Sequence, residues 1–186
     1  MEKPKLLLDV CCGPCSTHAI SQLKERYEVI LLYDNSNIFP RDEYEKRLLE
    51  SRKVAKYYGV ELFELPYNHQ MWEKFIAGFE NEKEGGHRCE LCFAFRFENA
   101  ARFASERGFS FFASTLTVSP FKSYDKISII GKQTGKRHNV SFLDFNFKKE
   151  NGFSKSIELS KELGLYRQNY CGCEYSLKSS IASPSE

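Results

Sequence analysis

Two hydrophobic periods alternate along this chain. Short apolar runs of strand length, KLLLDV (5–10), YEVILLYDN (27–35), VELFEL (60–65), FSFFASTL (109–116) and VSFLDFNF (140–147), are separated by longer segments whose apolar residues recur at helical spacing. After the first run the turn CCGP leads into STHAISQLKERY (16–27), where Ala19, Ile20 and Leu23 share a face. Pro14 suits the first helical turn, because its missing N–H costs nothing there. The second and third runs flank a charged helix, PRDEYEKRLLESRKVAKYYG (40–59), with Tyr44, Leu48, Val54 and Tyr58 among its apolar and aromatic positions. HQMWEKFIAGF (69–79) and CELCFAFRFENAARFASERG (89–108) read as two more helices, the second stopped by Gly108. The segment beginning FKSYDK predicts a helix ending at Gly135, and SKSIELSKELGL (154–165) a last one before a cysteine-bearing tail. Strands joined in this way by crossover helices predict an α/β fold, a Rossmann-like three-layer parallel sheet of about five strands. With no internal repeat and no convincing linker, residues 1–186 are expected to form one domain, with a disordered or loosely held tail from about residue 179.

Composition narrows the class without choosing the chemistry. A content of 41% hydrophobic and 15% aromatic residues is enough to fill a sizeable core, so no metal is needed for stability alone. The net charge of +2, from 27 Lys plus Arg against 25 Asp plus Glu, neither demands nor excludes a nucleic-acid partner. The opening MEKPKLLLDVCC contains neither a secretory leader nor a spanning stretch of about 18 apolar residues, and a cytoplasmic protein without a membrane partner is expected.

The candidate chemistry lies in seven cysteines, grouped as Cys11-Cys12-Gly13-Pro14-Cys15, Cys89-Glu90-Leu91-Cys92 and Cys171-Gly172-Cys173. In a reducing compartment, clustered thiols serve as metal ligands or as catalytic pairs. The first group sits at the carboxyl end of the first strand, where open α/β sheets place their sites. Cys11 and Cys12 can reach one centre only if the backbone turns, and Gly13 and Pro14 supply that turn. Amides exposed at the helix start favour the thiolate form of Cys15. Cys89 and Cys92, at i and i+3, point to one side of a helix, with Arg96 one turn further on. With Cys11 and Cys12 they complete a four-thiolate set, which zinc and an iron-sulfur cluster accept equally. A disulfide between Cys171 and Cys173 would close a strained loop, suited to electron relay. Alternatively, one of those two supplies a ligand and Cys15 stays free.

Polar residues near the same sheet edge extend the candidate site. Asp9 shares a strand face with Cys11 and suits a second, harder metal or proton donation; the alternative is a hydrogen-bonded acid at a strand end. Asp34, Asn35 and Asn37 follow the second strand, either to recognise substrate or to form a turn.

The segments LLLDVCCGPCS, YDNSNIFPRDEYEKR, GGHRCELCFAFRFENAA, FFASTLTVSPFKS and YRQNYCGCEYSL, in that order, resemble the cobalamin-independent family of epoxyqueuosine reductases over roughly residues 5–178. The resemblance implies reductive removal of the epoxide oxygen of epoxyqueuosine, at the wobble position of tRNA, to give queuosine. It implies a [4Fe-4S] cluster held by Cys11, Cys12, Cys89 and Cys92, a redox-active dithiol of Cys171 and Cys173, and an additional mononuclear iron that Asp9 and Cys15 could touch. Asp9 then joins the dithiol as a candidate catalytic group. The implied fold is of the nucleotide alpha-hydrolase type, and the implied partners are the tRNA and a low-potential electron donor.

For the tRNA, Arg96, Arg102, Arg107, Lys122, Lys126, Lys132, Lys136, Arg137 and His138 are expected on exposed helix and loop positions, where they can neutralise phosphates. His87 and Arg88 are placed to tune the cluster or meet the anticodon, and the segment 166–175 to offer a stacking surface. Trp72 and most phenylalanines are core material. Three rivals stand beside this reading: a zinc-stabilised tRNA-binding module, a metal-independent thiol-disulfide oxidoreductase, and an ATP-dependent thiolase. The last is disfavoured because CCGPCS is not a glycine- and serine-rich phosphate loop.

Overall fold

The computed structural model of the chain describes residues 2–182. Five strands, β1 (Lys5–Asp9), β2 (Glu28–Tyr33), β3 (Leu62–Glu64), β4 (Phe111–Ser114) and β5 (Ser141–Phe142), form one parallel sheet in the order β3-β2-β1-β4-β5. Helices α1 (Gly13–Leu23), α2 (Arg41–Tyr58), α3 (His69–Phe75), α4 (His87–Glu106), α5 (Tyr124–His138), α6 (Gly152–Glu162) and α7 (Glu174–Ala182) complete it. The alternation of β1 decides the layers. Leu6 and Leu8 face one core with Ala19, Ile20 and Leu23 of α1 and Tyr44, Leu48 and Val54 of α2. Leu7 faces a second core with Phe93, Phe97 and Ala101 of α4 and Ile127 of α5. Strands with no exposed face must be apolar at nearly every position, which is why they read as continuous runs.

The central β1 pairs with β2 on one side and β4 on the other, so the direction of chain progression reverses between β1 and β4. Such a reversal opens a crevice beyond the carboxyl ends of the two strands. Cys11 and Cys12 follow β1 there, and Thr115 follows β4.

Several boundaries differ from those expected. The run 140–147 gives only Ser141–Phe142 as strand, because Asp144 turns aside to accept hydrogen bonds from the Tyr124 hydroxyl (2.7 Å) and the Ser128 hydroxyl (2.9 Å) of α5. The preceding helix does not stop at Gly135. It continues to His138 and ends at Asn139 in the left-handed region (φ 55°), a conformation asparagine tolerates. Gly135 serves close packing instead: a Cβ there would stand 2.4 Å from the Val140 carbonyl oxygen. Helix α3 ends at Phe75, short of the predicted Phe79. The tail contains an unforeseen helix, α7, so the described part of the segment expected to be loose from about residue 179 is helical, while residues 183–186 lie outside the described residues. No described helix is long and apolar enough to cross a membrane.

Candidate active site

Helix α1 starts directly after Cys12, whose backbone is extended, and this abrupt change of direction brings three thiols together. The sulfurs of Cys11, Cys12 and Cys15 lie within 4.8 Å of one another, those of Cys11 and Cys12 at 3.8 Å. Hydrogen bonds from Cys12 and Cys15 hold the Cys11 thiol well below its ordinary pKa, with Arg96 and Lys122 reinforcing the effect against burial. The same bonds push Cys12 up to about 12 and Cys15 well above its ordinary value. The Gln168 amide donates to Cys12 Sγ at 3.2 Å.

Cys89 and Cys92 lie on the first two turns of α4. Cys92 packs with Trp72, Ile76, Phe95 and Cys173 in a small apolar cluster. Burial raises its pKa, helped by the charge of Cys171 and opposed by Arg96 and by the Trp72 indole N–H. Burial raises Cys89 and Cys173 as well. All seven cysteines are free thiols, so Cys171 and Cys173 are unpaired in this state.

A cavity of about 670 Å³ collects these groups: Cys11, Cys15, Cys92 and Cys171 line it, with Asn35, Asn37, Arg47, Arg96, Lys122 and Gln168. A smaller one of about 160 Å³ shares Cys92, Cys171 and Lys122 and adds Cys89, Cys173 and Arg88. Burial opposes the charge of Lys122, yet its pKa is raised, because the charges of Cys171 and Cys11 and a hydrogen bond to Cys171 outweigh that effect.

The residues expected around the centre take unequal places. Asp9 is fully buried behind the cavity, with Oδ1 accepting from Arg96 (2.6 Å) and Oδ2 from Ser114 (2.7 Å). Burial raises its pKa against the opposing charge of Arg96. Both its oxygens are engaged, and Cys15 stands with Cys11 and Cys12. Arg96 is a correction. Its side chain is 2% exposed and meets Asp9, Asn35 and Asn37, so it neutralises no phosphate. Asn35 also donates to the Val10 carbonyl (2.8 Å), and Asp34 accepts from Asn99 (2.8 Å).

Most of the other expected phosphate ligands have partners. Lys126 pairs with Glu90 (2.6 Å), Lys132 with Asp144, and both Arg137 (2.8 Å) and His138 (2.5 Å) with Glu98. Arg102 donates to Asn99 (3.2 Å). Arg107 lies over Phe63 and Phe103 (4.7 and 4.4 Å), and Lys136 is exposed. Lys122 enters the cavity. Arg88 is buried against the Glu80 carbonyl (2.9 Å) and the Tyr175 ring (4.6 Å), whereas His87 is about half exposed beside Glu90. In the segment 166–175, Tyr166 donates to Glu43 (2.9 Å) and Tyr170 to the Phe39 carbonyl (2.5 Å), which ties both into the protein.

Arg47 and Gln168 also line the cavity, and the sequence reading missed both. Arg47, 1% exposed, is held by Glu43 (2.7 Å) and donates to the carbonyls of Cys171 (2.9 Å) and Tyr170 (3.3 Å). Within the charge-rich YEKRLLESRK it reads as one more solvated cation, and only its spacing of three from Tyr44 hints at an inward face.

The donor set suits a thiolate-held metal centre. Thiols from three sequence-distant segments border adjoining cavities, and the buried Arg47 and Arg96 with the half-buried Lys122 offset the charge such a centre carries. The compact trio at the start of α1 and the thiols of Cys89 and Cys92 on the adjoining cavity together offer the four or more thiolates that either a single ion or a cluster would need.

Fold and site together define an α/β protein, a five-stranded parallel sheet covered by helices, with a thiol-rich centre at its switch point. Solved structures of low identity share the fold. One is a U34-tRNA thiolase, NcsA, from Methanococcus maripaludis with its [4Fe-4S] cluster (TM-score 0.55, 15% identity, 97% of this chain and 64% of that one). Another is a predicted tRNA methyltransferase subunit from Methanocaldococcus jannaschii (TM-score 0.53, 17% identity, 84% and 76%). The family model for epoxyqueuosine reductase QueH matches residues 6–179, and the chain belongs to that family of enzymes. Curated relatives bearing that description include those of Haemophilus influenzae (39% identity; 95% of this chain, 73% of the relative), Streptococcus pyogenes (37%; 95% and 71%) and Thermotoga maritima (36%; 92% and 90%).

Proposed function

We propose that this enzyme reduces the epoxide of epoxyqueuosine in the anticodon loop of tRNA to the alkene of queuosine, without cobalamin. Two electrons and two protons enter, the two C–O bonds of the epoxide break, and the oxygen leaves as water. The observation that carries the reading is the meeting of Cys11, Cys15, Cys92 and Cys171 on one cavity large enough for a nucleobase, in a member of this family.

Cys11, Cys12, Cys89 and Cys92 hold a [4Fe-4S] cluster in this proposal, which when bound supplies low-potential electrons one at a time. The chain's own groups do the rest. Gln168 orients the Cys12 sulfur by its N–H, and Asp9 fixes Arg96, which in turn fixes Asn35 and Asn37 at the cavity wall. Lys122, half-buried at the cavity wall, sets a positive charge beside Cys171, where negative charge develops as a C–O bond opens. Arg47 keeps Cys171 and Cys173, the dithiol that stores reducing equivalents from an external donor, at the cavity by gripping the backbone before them. This reading makes residues 1–186 one catalytic domain acting in the cytoplasm, where tRNA is modified.

Anaerobic purification, iron, sulfide and zinc analysis, EPR of the reduced protein and turnover of epoxyqueuosine-containing tRNA test it. About four irons and four sulfides per chain with formation of queuosine are expected. One zinc per chain, no sulfide after attempted reconstitution and no turnover would sink the reductase reading and leave a zinc-stabilised module at Cys11, Cys12 and Cys15.

A further inference from the structure

Phe121 is the most exposed large apolar side chain among the described residues, at 81%. Single exposed apolar residues are ordinary on protein surfaces, so exposure alone assigns nothing. Its neighbourhood separates it from the other exposed aromatics. Phe39 meets His69 (5.4 Å), Tyr57 meets Tyr58 (5.0 Å), Phe75 meets Phe95 (5.4 Å), Phe145 meets Phe147 (4.7 Å), and Tyr166 lies under Lys46 (6.0 Å). Phe121 alone of these has no ring or cation partner among the described residues, and it stands on the rim of both thiol-lined cavities.

The turn that carries it is held. Its own N–H donates to Ser119 Oγ (3.3 Å), the Lys122 N–H to the Ser119 carbonyl (3.4 Å), and Lys148 Nζ to the Lys122 carbonyl (2.8 Å). A ring fixed at its backbone and bare on its faces is a prepared apolar plane at the mouth of a cavity. The next residue sends its ammonium inward. Arg167 lines the same cavity.

Planar apolar surface beside cationic groups is the chemistry that receives a base splayed from a single-stranded RNA loop, since every base offers a π face and every linkage an anion. We propose that Phe121 stacks on a base of the RNA loop next to the nucleotide that enters the cavity, and so holds the loop open while the modified base is reduced. This rests on the proposed tRNA substrate. The stack acts on binding, not on the chemical step.

The test uses the iron-loaded enzyme and an anticodon stem-loop RNA carrying epoxyqueuosine. Phe121→Leu keeps apolar bulk without a π face, and Phe121→Trp keeps the face. The Leu variant is expected to raise KM for the RNA about tenfold with kcat little changed, while the Trp variant keeps the wild-type KM. Because Trp72, the one native tryptophan, is 1% exposed, the new indole reports directly, and its emission should be quenched saturably by the stem-loop. A wild-type KM for Phe121→Leu, or unquenched emission from Phe121→Trp on bound RNA, overturns the proposal. Saturable quenching of Phe121→Trp by the stem-loop, with no turnover by the wild-type enzyme, upholds the stack and removes the reductase reading instead.

Discussion

Arg96 shows how a side chain's neighbours decide its meaning. On α4 its charge makes it look like a surface cation, but at 2% exposure it faces a carboxylate that is itself 1% exposed. Removing one partner of a buried pair strands the other charge, at a cost of about 3–5 kcal/mol. Arg96→Met should therefore destabilise by that order in denaturant titrations, and adding Asp9→Asn should recover part of the loss. An equal loss in single and double variants would show that Asp9 is not the group left stranded. Asp34 behaves in the opposite sense. Burial raises its pKa to about 6 from 3.8, despite the Asn99 hydrogen bond. The unfolded chain thus releases this proton first, and stability falls as pH rises from about 4 to about 6, a penalty of roughly 2–3 kcal/mol fully present above that window. Asp34→Asn should be more stable than wild type at pH 8 and no more stable at pH 4. A difference independent of pH would contradict the assignment.

At the scale of elements, the periodicity of the chain carried most of the fold, because strands buried on both faces and amphipathic helices leave different signatures. What it could not carry was the end of each element. The last strand looked eight residues long because Phe145 and Phe147 continue its alternation, and only the three contacts of Asp144 with α5 explain why pairing stops after Phe142. Helix α7 escaped notice since the cysteines before it drew attention and its apolar face is narrow. The most consequential contact between elements joins α2 to the segment before α7. Glu43 and Glu50 accept from the Tyr166 hydroxyl and N–H, and Arg47 grips two carbonyls. Gly172, at φ 145°, takes a conformation other residues rarely adopt, and a Cβ there would stand a tight 3.2 Å from Arg47 Nη1. Arg47→Lys keeps the charge but loses the fork that spans both carbonyls. Iodoacetamide labelling of Cys171 should become several-fold faster in that variant, with circular dichroism unchanged. Labelling at the wild-type rate would mean that the tail docks without Arg47.

For the whole molecule, the site was legible as a cysteine inventory and illegible as a partition. Sequence placed three thiol groups on one α/β domain, but whether Cys15 or Asp9 stands nearer to Cys11 depends on where α1 begins and on which partner occupies each carboxylate oxygen. The same architecture separates stability from metal. Both cores are built from aliphatic and aromatic side chains on the two faces of the sheet, and of the cysteines only Cys12 and Cys173 are buried outright. Folding therefore should not wait for iron, unlike small domains whose structure is their metal site. A cluster on the proposed ligands, bound only by the native state, would add stability by mass action and join β1 to α4 across about eighty residues of sequence. Iron-free protein, or Cys89→Ser, should keep the circular dichroism of the loaded enzyme and a cooperative thermal transition, with Tm lower by several degrees and queuosine formation lost. A non-cooperative melt in the iron-free protein would overturn this separation, because it would mean that the two hydrophobic cores cannot hold the sheet without the thiolates being tied together.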